Sequence, residues 1–466
     1  MKTILLPIYN GIRARNFFRN DSYRGLVSDS NIRLVILIPS SKLEYYRKEY
    51  PEKNVIFEPF DIISEPYFGV RLYKLSLALL ATDTMRGKHL RDYYMYGNFP
   101  NYILKIILNR TFGFLPFITR PIIRFLDDHF VALEPGIAAL LNKYQPDLVI
   151  VPDIVFPQDR IVLRAARRLG FYTIGMIRSW DNLTSKGVVQ ILPEKLLVQT
   201  AIMEKEAIKY AGMPAKDIEV VGLPHYDVFF EPRSVPREDF LKSLGIPPER
   251  KVILAAPFLM PSVGSAKILI NTMLEAIDDG RIPKNLHILV RYRPATPEIE
   301  EGGLLKSDHL TVTSPCELFF SVKTSQASTM DWEFSKKDIE LLINSLAYCD
   351  LVVNYVSTLS IDAAIFDKPI INVRFEADPK TPKYDHMNLL MRFIHYKVVE
   401  RTGGVKLVWN MEELLEGIKD YLDHPEKDRS GRKEMVRKLI EFTDGQSGQR
   451  TAEYIKKILY SLPPRT

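Results

Sequence analysis

YCDLVVNYVSTLSIDAAIFDKPIINVRF, residues 348–375, is the stretch on which the fold of this 466-residue chain turns. Its runs at 350–354 and 369–373 are apolar without alternation, the pattern of strands buried on both faces. Between them, Val356-Ser357-Thr358-Leu359-Ser360 is a hydroxyl-rich turn, and 361–366 is a short amphipathic helix. Strand, turn, helix and strand in this order make a parallel β-α-β crossover, whose helix N-terminus lies at the carboxyl edge of the sheet. Unsatisfied N–H groups and the positive end of the helix dipole suit a phosphate there. Ser357, Thr358 and Ser360 are therefore candidate phosphate ligands; capping the helix is the other role open to them.

The alternation continues in both directions. Upstream, apolar strands are expected at 2–7, 33–39, 54–58, 147–152, 172–177, 195–199 and 218–221. A proline-rich stretch, 231–249, reads as a linker, after which strands at 251–257, 286–290 and 310–312 lead back to the opening unit. The chain is thus α/β with two Rossmann-like domains: 1–230, interrupted by an insertion at about 60–130, and 231–448. A last helix is expected at 449–466. Parallel strands place the loops that follow them on one edge, so Pro257, Arg291 and Arg293 join the hydroxyls above as candidate ligand-binding residues.

In the first half, the run after the opening strand is GIRARNFFRN, residues 11–20. Several arginines at a helix start oppose the dipole unless an anion is bound, which nominates Arg13, Arg15 and the neighbouring Asn16 for a phosphate or a carboxylate. A second polar run, SWDNLTSKG at 179–187, directly follows a strand and supplies Trp180, Asn182 and Lys186 as further candidate binding residues. Asp181, in this loop, and Asp153, after DLVIVP, are candidate general bases for a hydroxyl acceptor. The bland role of Asp181 is to cap its own turn.

Composition bounds the rest. The net charge is +6, and about +7 of it falls within residues 1–230. No nucleic-acid-binding motif accompanies it. Residues 86–124 carry seven Lys or Arg against the single acid Asp92, interleaved with Tyr, Phe and aliphatics. That mixture suits peripheral contact with a membrane; a helical insertion with snorkelling arginines has the same composition. Cys316 and Cys349 form no metal or disulfide framework, and MKTILLPIYNG reads as a strand rather than a signal peptide. These features point to the cytoplasm, peripheral on the inner face of the plasma membrane. No Asp-x-Asp loop is present, so no metal and no cofactor is expected.

SWDNLTSKG and VNYVSTLSIDAAIFDKPIINV (353–373) resemble motifs of bacterial surface-carbohydrate glycosyltransferases of the GT-B class. These are similar in turn to the CDP-glycerol glycerophosphotransferases and, more remotely, to the UDP-GlcNAc 2-epimerases. GIRARNFFRND, VGLPHYD (221–227), ILVRYRP (288–294) and the late DGQSGQRTAEYI match in style and order. The resemblance implies two domains facing a cleft and metal-independent transfer of a sugar to a glycan or lipid-linked acceptor. It also implies that the nucleotide sugar is the substrate, that the tail helix 449–466 returns to the first domain, and that Glu376 and His386 lie near the donor's sugar or ribose. On the same resemblance Ser357, Thr358, Ser360, Pro257, Arg291 and Arg293 fall to the donor, and Arg13, Arg15, Asn16, Trp180, Asn182 and Lys186 to the acceptor. One departure stands out: relatives often have an Arg-Pro-His-Pro-like run where this chain has Arg291-Tyr292-Arg293-Pro294. The missing histidine argues for sugar transfer over transfer of a CDP-activated glycerol or ribitol phosphate. A sugar-nucleotide epimerase and a non-enzymatic nucleotide-sugar binder are the remaining readings.

Overall fold

The computed structural model describes residues 1–61, 64–257, 263–292, 303–313, 317–318, 332–355, 357–380, 389–390 and 392–463. It contains two compact units, 1–230 with 440–466, and 231–439. The first is built on β1 (Lys2–Pro7), β2 (Ile32–Ile38), β3 (Val55–Pro59), β4 (Leu148–Val151), β5 (Tyr172–Met176), β6 (Lys195–Val198) and β7 (Ile218–Val220). They form one parallel sheet in the order β3-β2-β1-β4-β5-β6-β7. β4 is buried along its whole length and the other central strands nearly so, because crossover helices cover both faces. Sequence order reverses between β1 and β4, and this switch point opens a crevice at the carboxyl edge.

The second unit repeats the scheme with β8 (Lys251–Ala256), β9 (Leu286–Arg291), β10 (Leu310–Thr313), β13 (Leu351–Asn354), β14 (Ile370–Val373) and β15 (Lys406–Val408). A small antiparallel pair, β11 (Glu317–Leu318) and β12 (Trp332–Glu333), precedes β13. The main sheet is again parallel, in the order β10-β9-β8-β13-β14-β15, with its switch point between β8 and β13.

Several expected boundaries shift for identifiable reasons. The sequence suggests a helix over 131–144; the structure starts it at Pro135 and ends it at Tyr144. Pro135, at its first position, has no N–H to leave unsatisfied, and the Glu134 carboxylate caps the start by accepting from Ile137 N at 2.6 Å. The stretch read as a linker holds a helix, Arg237–Ser243, with two acids in its first turn. The return to the first unit begins at Ile440, ahead of the boundary drawn at 449. Between β3 and β4 lie the insertion helices Tyr67–Leu79, Asp83–Tyr96, Phe99–Arg110 and Pro116–Phe130. No helix among the described residues is long and apolar enough to cross a membrane.

Candidate functional site

At the switch point of the first unit, the Asn10 side chain caps the helix Gly11–Phe18 by accepting from Arg13 N at 3.1 Å. That start turns Arg13 inward, where its guanidinium pairs with Asp159, on the helix Pro157–Arg168 that follows β4. Beside it Arg178, just beyond β5, donates to Asp153 Oδ2 at 3.0 Å. Both carboxyls are fully buried, which raises them, while the two guanidinium groups pull them back down. Phe156 is the common platform: Arg178 lies over its ring at 4.3 Å, Arg13 at 5.4 Å and Lys186 at 5.5 Å. Three cations about one ring make this edge a place for an anion or a polyhydroxylated ligand.

A cavity of about 40 Å³ opens here, with Arg13, Asn16, Ser22, Arg178, Gln199 and His225 among its walls. Arg13 Nε and Ser22 Oγ, both buried, have no hydrogen-bond partner within the protein. Buried polar groups left in this way ask for a ligand oxygen or a water. Burial and the nearby Arg15 cation hold His225 well below the usual imidazole range, so it stays neutral. Arg15 itself donates twice to Asn16 Oδ1 at 3.1 Å, so these two are paired at the cavity rim.

The loop at 179–187 is braced from three sides. Asp181 accepts from Ser179 Oγ at 2.6 Å and from Ser185 Oγ at 2.9 Å. Lys88 Nζ donates to Ser185 O at 2.9 Å, and Thr82 Oγ1 to Thr184 O at 2.8 Å, both from the insertion. Asp181 thus ties its own turn together through two hydroxyls, with no cap bond to the backbone, while remaining partly exposed. Asp153 differs: 0% exposed and bound by Arg178, Asn182 and Val155 N, it is closed to an acceptor hydroxyl. It positions Arg178 and Asn182 instead of serving as a base. Asn182 is likewise fully buried: its Nδ2 donates to Asp153, while its Oδ1 has no hydrogen-bond partner within the protein. Trp180 packs partly against the core.

Three groups near Asp181 and its loop escaped the sequence reading. Burial, then the Lys186 charge, brings the Lys88 ammonium down to about 8. Burial, then Asp181, pushes the Glu206 carboxyl up to about 8. Phe156 gave no sequence signal beyond following a strand.

In the second unit the switch point gathers Ser265, Tyr355 and Glu376. Ser265 Oγ, in the first turn of the helix Val263–Asp278, donates to Glu376 Oε2 at 2.8 Å and accepts from Asp378 N at 3.0 Å. A Cβ on Gly264 would clash with Asp378 Oδ2, so a larger residue there would have to push that carboxylate aside. Tyr355 is buried; burial first, and Glu376 second, raises its phenol. A carboxylate pair at the start of a 16-residue helix suits ribose hydroxyls, with helix N–H groups at hand for phosphate.

Ser360 is a correction. It is 1% exposed and locked with Asn354 and Asn372: Asn372 Nδ2 donates to Asn354 Oδ1 at 2.5 Å and to Ser360 Oγ at 3.0 Å. Its hydroxyl ties the turn to β13 and β14 and is not presented to a phosphate. Ser357 Oγ accepts from Asn354 Nδ2 at 2.8 Å and stays partly exposed, and Thr358 is exposed with no cap bond. Arg291 ends β9, mostly buried, and Pro257 follows β8. Arg293 and His386 lie outside the described residues.

Comparison with known proteins bears on the family and the fold. A family model described as CDP-Glycerol:Poly(glycerophosphate) glycerophosphotransferase matches residues 193–457. No curated protein matches the chain. Among solved structures, MnaA of S. aureus, solved with UDP, is similar at TM-score 0.58 and 11% identity, covering 100% of this chain and 99% of its own. A glycosyltransferase from Rickettsia africae ESF-5 is similar at TM-score 0.51 and 11% identity, with 99% of each chain covered. The wall teichoic acid polymerase TagF, as a variant, is similar at TM-score 0.50 and 10% identity, covering 98% of this chain and 89% of that one. At these identities the likeness is one of fold: two parallel-sheet units of the GT-B class.

Proposed function

This chain belongs to the CDP-glycerol:poly(glycerophosphate) glycerophosphotransferase family, and from that premise we propose transfer of a sugar from a nucleotide-sugar donor to a hydroxyl of a cell-surface glycan or lipid-linked acceptor. The extent of the match supports a nucleotide-activated donor, since residues 193–457 contain the whole second unit, 231–439; the observation that carries a sugar as the group moved is the histidine-free run at 291–294. A fold of this kind binds its nucleotide at the carboxyl edge of one unit. Glu376 and Ser265 would hold the ribose, and Ser357, Thr358 and Arg291 the diphosphate, whose developing charge fixed donors stabilise. Arg13, Arg178 and Lys186 around Phe156 would hold the acceptor, with Asn16 at the rim. Asp181 would take the acceptor's proton as the new bond forms. Metal independence rests on these cations and on the lack of an Asp-x-Asp loop.

Arg291-Tyr292-Arg293-Pro294 offers cations and no histidine to the donor, which favours glycosyl transfer. The activity printed for the family favours a second reading, transfer of an alditol phosphate from a CDP donor. Melting of the full chain with UDP, GDP, CDP, CMP and dTDP separates them, because a ligand of the folded state alone raises the transition. A rise with UDP, GDP or dTDP, lost in Glu376→Ala, supports sugar transfer. A rise with CDP or CMP alone moves the assignment to the alditol phosphates. Absence of any shift overturns the donor site. With the donor known, Asp181→Asn is expected to lower kcat by about 10²-fold or more while leaving the nucleotide-induced shift intact.

A further inference from the structure

The cavity beside the Arg13 and Arg178 guanidinium groups has walls of two kinds. Leu6 of β1, Met176 of β5, Leu197 of β6 and Val221, just beyond β7, give it an apolar side made by the carboxyl ends of four strands. Against that side stand two polar atoms that the fold leaves unsatisfied, Arg13 Nε and, from the helix Asp21–Val27, Ser22 Oγ. Arg13 is 3% exposed and Ser22 1%, so bulk water does not serve either group. Arg13 Nε can only donate, and the Ser22 hydroxyl is free to do the same. Asn16, Arg178 and His225 are the partly exposed members of the lining, so the opening to solvent is on their side. Arg178 also lies over Phe156, which makes the cavity continuous with the edge read above as the acceptor's.

Size and charge select what fits. About 40 Å³ is room for about three non-hydrogen atoms, at about one water-sized probe each. A phosphate is larger than that. An anion of any size also finds both cations of the wall engaged, Arg178 by Asp153 and Arg13 by Asp159. Asp159 moreover keeps Oδ1 buried without a partner, and a further negative charge beside it would be repelled. A neutral group therefore enters. A hydroxyl would bring a proton that needs its own acceptor, whereas a carbonyl oxygen accepts from two donors and has none to place. A methyl beside that carbonyl gains by burial against the apolar side. We infer that the cavity receives an acetyl group carried by the acceptor, its oxygen accepting from Arg13 Nε and Ser22 Oγ and its methyl packed against Leu6, Leu197 and Val221. The inference rests on the reading of this edge as the acceptor's and adds the class of acceptor: a sugar with an N-acetyl or O-acetyl substituent.

Saturation-transfer NMR on the full chain, without nucleotide, tests it. Glucose, mannose and galactose are compared with the corresponding N-acetylhexosamines and with glucose carrying an O-acetyl ester, so that the two arms separate amide from ester. At least one acetylated sugar is expected to bind about tenfold more tightly than its parent, its acetyl methyl taking the largest share of the saturation. Ser22→Ala removes one donor and is expected to weaken that sugar about fivefold. Ser22→Thr keeps the hydroxyl, adds a methyl to the space and is expected to abolish the saturation of the acetyl methyl. Melting curves report whether each variant folds, and Ser22→Ala carries the comparison if Ser22→Thr does not. Acetylated and parent sugars that are saturated alike give the cavity to water and overturn the inference. A preference unchanged in a folded Ser22 variant puts the acetyl group elsewhere and overturns it too. A nucleotide shift without an acetyl preference removes this inference and leaves the transfer reading standing; an acetyl preference without a nucleotide shift removes the donor site alone.

Discussion

Glu206 ends the helix Ala201–Glu206, immediately before a π-helical turn, Ala207–Ala211, and buries Oε2 without a partner. Its carboxyl has an ordinary value of 4.5 and is pushed up to about 8 in the fold, by burial first and by Asp181 second, with Lys209 opposing. Between those values the native protein keeps a proton that the unfolded chain has released, so rising pH favours unfolding. Stability is therefore expected to fall by up to about 1.4 kcal/mol per pH unit across that window from this group. Glu206→Gln, which keeps the neutral shape, is expected to flatten the slope and to be the more stable form at the alkaline end. Urea unfolding at several pH values checks it; parallel curves for the two proteins would exclude a protonated Glu206. The same proton matters to the site, because a neutral Glu206 spares Asp181 a like charge beside it.

Among the elements, the return of the C-terminal helix to the first sheet rests on one carboxylate. Asp227, in the VGLPHYD run, accepts from Ser447 N at 3.0 Å and Gly448 N at 2.7 Å, at the start of the helix Ser447–Ser461. The two motifs, far apart in sequence, are thus two halves of one helix cap. Asp227→Asn loses one acceptor and turns an amide N–H toward a backbone N–H, which is expected to cost about 1–3 kcal/mol. A denaturant midpoint for the first unit equal to that of the wild type would show the cap to be dispensable. Elements like these strands were legible because strands buried on both faces leave long apolar runs, as in LVIV of β4. β15 was not, being three residues that begin with Lys406, nor were the helices Ile394–Arg401 and Arg429–Leu439. The site was legible to the level of loops, since polar runs after strands mark the carboxyl edge. It was not legible to the level of side-chain role. Ser360, Asn182 and Asp153 look like ligands in sequence, and their partners (Asn372, Asp153 itself, Arg178) come from other elements that only the fold brings near.

At the scale of the whole molecule, the two units differ in how the chain is shared between them. The second is continuous, 231–439, whereas the first needs 440–466 to complete it. In that return segment Ile455 and Leu459 are each 0% exposed, packed in one core cluster with Ile4, Leu26 and Ile32. Gly25 admits the helix closely, a Cβ there standing 2.7 Å from Ala452 Cβ. Burying two such side chains contributes about 3–6 kcal/mol, a large part of the roughly 5–15 kcal/mol by which a domain is stable. A chain of residues 1–230 is thus expected to lack a cooperative unfolding transition, and the same chain joined to 440–466 by a flexible linker to regain it. Residues 231–439 alone are expected to unfold cooperatively and, if the donor contacts lie wholly within that unit, to keep the nucleotide-induced rise in melting temperature. Cooperative unfolding of 1–230 by itself would show the return helix to be an accessory. A second unit that folds but no longer responds to a nucleotide that shifts the full chain would place donor contacts outside 231–439, and Glu376, Ser265 and Arg291 would then be only part of the grip.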